Sequence, residues 1–305
     1  MIDHILSYPD SPDTEPLFHE ISRELWSTTQ YISGSALKTV PYEIVYALQI
    51  ALKDWSSRNF IITTAIIDER NYYFKVADPN SVIKPFLKID MDVNLVQIAF
   101  PKLYRHRPLY NIALYHELGH FIDHHFQIVA YSELLDLYNE KDQSSVSISH
   151  RREYFADLVA ACYVGRGYVK FVRHFIRNEE ESCTHPSSEE RLKVINDFLN
   201  GKSNNIVDRF QRVLELRKLP ALRTRFDIPD ILPRFENVLP YDIASNAELH
   251  GIFAAGWEFL EGVFEGKFLS WNELEQIDAD RIINDLIEKS IRNRVISEKW
   301  HEHTD

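Results

Sequence analysis

The fold is decided by the stretch PLYNIALYHELGHFIDHHFQIVAY, residues 108–131. Apolar residues recur through it at intervals of three and four, and this spacing predicts one long helix with an apolar face. Inside this stretch, His116, Glu117 and His120 form the pattern HExxH. Because residues four apart lie one above the other on a helix, the two imidazoles can converge on one metal ion while Glu117 stands beside it.

These three side chains are the ones that a catalytic zinc site needs. Zinc binds imidazole ligands in a tetrahedral shell and lowers the pKa of a bound water toward ~7. A neighbouring carboxylate can then accept the proton of that water as it attacks a carbonyl. The sequence therefore predicts Zn2+ as the cofactor, His116 and His120 as two ligands, and Glu117 as the catalytic base.

A plainer interpretation is that HExxH arose by chance on a solvated helix face. Two features argue against it. Tyr115, Leu118 and Phe121 make the helix largely apolar, and an acid with two histidines on a buried helix needs a compensating charge that a metal supplies. Gly119 lowers helix stability by ~1 kcal/mol relative to Ala, which indicates that another group approaches the backbone closely there.

A catalytic zinc site uses three protein ligands and leaves one position open. His124 and His125 lie on the same helix, roughly 12–13 Å along its axis from His116, so they are too far away and are predicted to lie on the surface or on a second face. Phe126 stands where the metzincin pattern needs its third histidine, which excludes that subclass.

Glu153, at the head of the next predicted helix, is a better third ligand. Asp157 follows one turn later on the same face. Glu153 would complete the zinc shell, and Asp157 would accept the free N–H of a ligand imidazole and fix its tautomer. The competing interpretation of Glu153 is a solvated residue with a capping role, but the apolar run LVAACYV that follows favours the ligand.

The segments around these two helices predict an α+β fold. Upstream, helical periodicity gives way to β-branched and aromatic runs between turn signals, which indicates a sheet of roughly three to five strands. The predicted helices are 15–32 and 41–55, and the predicted strands lie within 59–69, 71–78 and 85–100. Downstream we predict a loop at 139–150, a helix at 151–178 with a break near Gly165 and Gly167, a helix at 187–200 capped by Ser187 or Ser188, a linker at 201–205, and helices beyond it.

Composition narrows the class of protein. The 305 residues carry 34 basic and 46 acidic side chains, a net charge of −12, which repels the phosphate backbone and makes nucleic acid a poor partner. Cys162 and Cys183 are too few for a disulfide scaffold. The N-terminus has no basic start before an apolar run, and no window approaches the ~18 apolar residues of a spanning helix. We therefore expect a soluble cytoplasmic protein without membrane insertion, and its oligomeric state stays open.

Three motifs occur in order along the chain: HELGH at 116–120, ExxAD at 153–157, and Thr184-His185-Pro186 followed by Arg191-Leu192. Together they resemble the gluzincin metallopeptidases of the HtpX and CAAX-prenyl-protease type, over about residues 85–200. The resemblance implies His116, His120 and Glu153 as ligands, Glu117 as base and Asp157 as the support of a ligand.

The resemblance also gives roles to two residues of the third motif. His185 would donate a hydrogen bond to the oxyanion that develops on the substrate carbonyl, and Arg191 would anchor the carboxylate of Glu153 or Asp157. The alternative for His185 is a turn residue before a helix. The strand at 85–100 is similar to the edge strand on which gluzincins lay an extended peptide.

Relatives of that type are commonly embedded in membranes, whereas this sequence contains no spanning segment. Membrane substrates and prenylated peptides therefore do not follow from the resemblance. Soluble regulatory peptidases that cleave a transcriptional repressor share HELGH and a later Glu, and they are a second resemblance.

We predict an N-terminal helical extension at 1–34, a zincin-like metallopeptidase domain at 35–200 and a helical accessory domain at 201–305. The predicted activity is that of a zinc metalloendopeptidase acting on a protein or peptide substrate. The alternative is a regulatory or binding protein in which the fold survives and turnover is blocked, for example by the helical tail. The intact Glu117 favours the enzyme, and a purely structural zinc does not suit cysteine-poor ligation beside an acid.

Overall fold

A computed structural model describes residues 42–56, 60–67, 72–77, 94–138, 146–176 and 180–302, with a few single positions between 18 and 29. The protein is α+β and mostly helical, with a small three-stranded sheet. The elements are α1 (Tyr42–Lys53), β1 (Phe60–Ile67), β2 (Tyr73–Ala77), β3 (Asn94–Pro101), α2 (Ala113–Phe126), α3 (Ile128–Tyr138), α4 (Ile148–Phe175), α5 (Ser188–Leu199), α6 (Asn205–Leu216), α7 (Leu232–Phe235), α8 (Asn246–Phe264) and α9 (Gln276–Glu302), with short 3-10 helices at Lys102–Tyr104 and Leu269–Trp271.

The sheet has the strand order β1-β3-β2. β1 runs parallel to β3, with Phe60 opposite Asn94, and β2 runs antiparallel to it, with Tyr73 opposite Ala99. The prediction that the strand within 85–100 is the edge strand is therefore wrong for its described part, which is β3. Every side chain of β3 from position 95 to 100 is buried, as is usual for a strand covered on both faces. Within the described residues β2 is an edge, on the side of the sheet away from β1.

The helix that carries HExxH is shorter than predicted. α2 ends at Phe126 because Gln127 takes a left-handed conformation with φ 55°, and the chain then starts α3 instead of continuing to residue 131. The carboxylate of Asp123 accepts a hydrogen bond of 2.7 Å from the backbone N–H of Val129, in the first turn of α3. A side chain of the first helix thus satisfies a free N–H group of the second and stabilises the break between them.

α4 begins at Ile148, before the predicted end of the loop at 150. The hydroxyl of Ser147 accepts a hydrogen bond from the backbone N–H of His150 and starts the helix there. The predicted break is confirmed at Gly165, whose φ of 50° and ψ of −129° interrupt the helical geometry. A Cβ at this position would lie 2.3 Å from the ring of Phe226, so both the conformation and the packing require glycine.

The predicted helix at 187–200 is confirmed as α5, with Ser187 as its N-cap. Ser187 accepts from the backbone of Glu190, and the side chain of Glu190 returns a contact to the backbone of Ser187, which forms a capping box. The predicted helix at 41–55 is confirmed as α1. The helix predicted at 15–32, the extension at 1–34 and the loop residues 139–145 lie largely or wholly outside the described residues.

Beyond the predicted linker, α8 and α9 pack against the preceding helices. The indole N–H of Trp257 on α8 donates 3.1 Å to the carbonyl of Leu109, and the Tyr115 hydroxyl lies 2.8 Å from Nδ1 of His250. The buried apolar residues on both sides of residue 200 belong to one cluster. The domain boundaries given above remain predictions.

The two longest helices are α4 and α9, at 28 and 27 residues. Charged side chains recur along both of them. In the part of the chain that the structure describes, no helix combines the length and the apolar character that crossing a membrane requires.

Candidate metal centre

The site forms where α2 and α4 touch at their backbones. A Cβ placed on Gly119 would lie 2.6 Å from Cα of Ala156 and 3.0 Å from its carbonyl oxygen. Only glycine permits this distance, so the predicted close approach to the backbone at Gly119 is confirmed, and the approaching group is α4 itself. The contact brings the HExxH motif of α2 against the ExxAD motif of α4.

This packing gathers three ligand atoms from His116, His120 and Glu153, which all lie within 4.8 Å of one another. Nε2 of His116 is 3.3 Å from one oxygen of Glu153, and Nε2 of His120 is 3.4 Å from the other. Their side chains are only 11%, 18% and 11% exposed. Two imidazole nitrogens and a carboxylate oxygen, withdrawn from solvent and turned toward one point, can hold a metal ion.

The charges in this cluster fit the same conclusion. Burial lowers the pKa of His116, but hydrogen bonds to Asp157 and Glu153 outweigh it and raise that pKa to about 9. Burial and the charge on His116 lower the pKa of His120 to about 3. Burial raises the pKa of Glu153, but His116 and the other cations bring it down to about 2. The ionised carboxylates of Glu153 and Asp157 therefore attract positive charge to the point where the imidazoles converge. A divalent cation can supply that charge in place of a proton.

Behind the three candidate ligands, Asp157 holds His116 in place. Its Oδ1 is 2.9 Å from Nδ1 of His116, so Nε2 is the nitrogen left to face Glu153. Arg191 binds both oxygens of Asp157, with Nε and Nη2 at 2.8 and 2.7 Å, and its Nη2 is 3.9 Å from Glu153. Burial raises the pKa of Asp157, but Arg191 counters it and holds that pKa well below its usual range. The expected imidazole contact of Asp157 is confirmed, and of the two carboxylates considered for Arg191, Asp157 is the closer.

Two residues of the site, Tyr168 and Phe74, were not predicted from the sequence. The hydroxyl of Tyr168 donates to Oδ1 of Asp157 at 2.7 Å and lies 3.0 Å from Nδ1 of His116. The ring of Phe74, on β2, stacks on His120 with centroids 6.0 Å apart. The one sequence signal for Tyr168 is the predicted break at Gly165, which lies between Tyr168 and Asp157. No local pattern predicts the strand register that brings Phe74 to His120.

Glu117 lies on α2 beside the ligands and faces β2. The backbone of Phe74 interacts with its carboxylate and lowers its pKa. Burial raises the pKa of Glu117 to about 7, with His116 lowering it and Glu153 raising it further. A carboxylate with a pKa in this range can accept a proton near neutral pH.

His185 lies at the exposed mouth of the site. Its Nε2 is 3.7 Å from Oε1 of Glu153 while its side chain is 51% exposed, and Nδ1 is 2.9 Å from the hydroxyl of Thr184. By contrast, His125 packs against the ring of Phe60 at 5.1 Å and His124 is exposed, so the structure keeps both away from the ligand cluster, as expected.

Comparisons with protein-family models, with curated proteins and with solved structures found no match to this chain.

Proposed function

We propose that this protein is a zinc metalloendopeptidase. The observation that carries the proposal is the convergence of His116 and His120 from one helix with Glu153 from another, beside the carboxylate of Glu117. Two histidines and one glutamate are the ligand set of many catalytic zinc sites, and three ligands leave one position for a reactant. Zinc held by these residues would polarise a substrate carbonyl and increase the acidity of water.

The side chains of the site have separate roles in this proposal. Glu117 accepts a proton from the water that attacks the peptide carbonyl and delivers it to the departing amine. Asp157 and Tyr168 hold the His116 ring in one tautomer. His185, half-exposed at the mouth, donates a hydrogen bond to the oxyanion that forms on the carbonyl.

The substrate is a protein or peptide that binds in an extended conformation. Within the described residues β2 is an edge of the sheet, and Phe74 on this strand contacts both His120 and Glu117. An extended peptide can pair with such an edge through backbone hydrogen bonds. It would then pass the ligand cluster with a scissile bond close to Glu117.

The test measures zinc content and peptide cleavage together. The purified parent chain is expected to contain one equivalent of zinc and to cleave members of a diverse peptide library. Glu117→Gln should keep the zinc and lose about 10²-fold or more of the rate, because it cannot accept the proton. Glu258→Gln, an exposed position on α8, is the matched control and should behave like the parent.

A parent chain that binds zinc and cleaves no peptide would contradict the enzyme and favour a binding or regulatory protein. Cleavage by Glu117→Gln at the parental rate would contradict the assignment of the base.

A further inference from the structure

A cavity of about 370 Å³ adjoins the ligand cluster on the side of His120. It lies where α2 ends, and its lining includes Phe74, His120, Asp123, His124, Gln127 and Arg152. One wall is therefore formed by a proposed ligand and by the aromatic ring that stacks on it. A group that occupied this cavity would lie beside the reacting part of a bound peptide.

The break between α2 and α3 shapes the cavity. Gln127 is one of three non-glycine residues in the described chain with positive φ, and it lines the cavity directly. Its side-chain amide donates to the carbonyl of His124 at 2.6 Å, which holds the turn in place. Left-handed non-glycine residues are costly and are often retained at functional sites, and here the turn opens space that a continuous helix would fill.

Among the described lining residues, Arg152 carries the one fixed positive charge, and it precedes the proposed ligand Glu153 on α4. Its side chain is 60% exposed. Its Nε is 3.8 Å from Oδ2 of Asp123, which is longer than a hydrogen bond, so this contact leaves the guanidinium donors available to a ligand.

Asp123 is the one acidic side chain among the described residues of the lining, and its carboxylate already accepts a hydrogen bond. It is only 9% exposed and accepts the backbone N–H of Val129. A cationic ligand would therefore find its counter-charge buried and hydrogen-bonded, whereas an anionic ligand would find Arg152 accessible at the rim, with the imidazole of His124 near it. The accessible charge at the rim, that of Arg152, therefore favours a carboxylate, although the whole chain carries −12.

We propose that this cavity binds an acidic side chain, Asp or Glu, of the peptide substrate, and that Arg152 is the residue that selects it. The inference rests on the proposed peptidase function. The apolar stem of the side chain lies against Phe74, and its carboxylate pairs with the guanidinium at the rim. Because His120 lines the same cavity, the selected residue is close to the scissile bond.

The experiment measures binding, so that it does not depend on turnover. Zinc-loaded Glu117→Gln protein is titrated with fluorescent decapeptides that carry Glu, Gln or Lys at each position in turn, and affinity is read by anisotropy. We expect one or two adjacent positions at which Glu binds about three- to fivefold more tightly than Gln. The preference should disappear when Arg152→Gln is added and should change to Lys when Arg152→Glu is added.

Arg173→Gln, an exposed position on the same helix outside the cavity, is the control and should leave the preference intact. The inference is overturned if no position prefers Glu, if Arg152→Gln keeps the preference, or if no decapeptide binds. If the parent cleaves peptides but no position prefers Glu in the binding assay, the acidic subsite is contradicted and the proposed peptidase function stands. If the parent cleaves no peptide but the Arg152-dependent preference for Glu is still measured, the acidic subsite is supported and the proposed peptidase function is contradicted.

Discussion

The hydroxyl of Tyr168 lies 2.7 Å from Oδ1 of Asp157, although eleven residues separate the two on α4. On a straight helix that separation is about 16 Å. The left-handed Gly165 breaks the helix between them and turns the second half back toward the first. The break therefore adds a third donor to a carboxylate that already contacts His116 and Arg191.

Tyr168→Phe should weaken metal binding by about tenfold, because the hydroxyl orients the carboxylate that orients His116. Zinc affinity is measured by competition with a chromophoric chelator. Tyr131→Phe, an exposed position on α3, is the control and should leave the affinity unchanged. Equal affinities for the parent and Tyr168→Phe would show that the hydroxyl does not position the ligand.

Gly119→Ala should separate α2 from α4, because its Cβ would overlap the backbone of Ala156 at 2.6 Å. We expect the free energy of unfolding of the metal-free protein to fall by about 1–3 kcal/mol and zinc affinity to fall with it. Gly201→Ala should destabilise by about 1 kcal/mol, because its left-handed backbone disfavours a side chain, with no change in zinc affinity. Urea unfolding and chelator competition distinguish the two, and unchanged zinc affinity in Gly119→Ala would contradict the packing argument.

Arg191→Met should destabilise the metal-free protein by about 3–5 kcal/mol, because it leaves the buried carboxylate of Asp157 without its guanidinium partner. Removing that charge as well, in Arg191→Met with Asp157→Asn, should recover part of the loss. The free energies of unfolding of the parent, both single variants and the double variant form a thermodynamic cycle. A double variant as unstable as the sum of the singles would show that the pair is not coupled.

His250 gives the protein a pH dependence away from the metal centre. Burial, with repulsion from Arg294 and Arg225, lowers its pKa from 6.5 to about 3. Below about pH 6.5 the unfolded chain therefore binds a proton on His250, whereas the folded chain binds it only at about pH 3. The contribution of His250 to the free energy of unfolding is thus complete above about pH 6.5 and falls as the pH drops toward about 3.

Relative to His250→Gln, the parent should lose about 2 kcal/mol of stability between pH 7 and pH 5. Urea unfolding of both proteins at a series of pH values gives the difference, and His106→Gln, at a half-exposed position, is the control. A difference between parent and His250→Gln that does not change with pH would show that the buried imidazole is not neutral.

Local sequence patterns located most of the candidate site. Each of these patterns depends on a single helix or on one helix pair: the HExxH spacing, the ExxAD spacing and the unfavourable glycine at 119. The structure brings the two motifs together. The capping preference of Ser187 and the helix break at Gly165 are equally local, because backbone conformation decides both.

The remaining features depend on contacts that no local pattern reports. The apolar sequence of β3 is compatible with an edge or a central position in a sheet. Its central position follows only from its pairing with both β1 and β2. The end of α2 depends on Gln127, a residue without strong left-handed preference, and on a cap from Asp123 on the previous helix. Phe74 reaches the site through the strand register, and Tyr168 reaches it through the break in α4. Arg152 borders a cavity at the end of α2.

X-ray absorption at the zinc edge of the purified chain tests the proposed metal centre most directly. We predict one zinc per chain with two imidazole nitrogens at about 2.0–2.1 Å and carboxylate or water oxygen at about 2.0–2.2 Å, with no sulfur ligand. Glu153→Ala should lower the zinc affinity and change the oxygen shell. A sulfur ligand at about 2.3 Å, or a spectrum that His116→Ala and Glu153→Ala both leave unchanged, would contradict the proposed zinc centre.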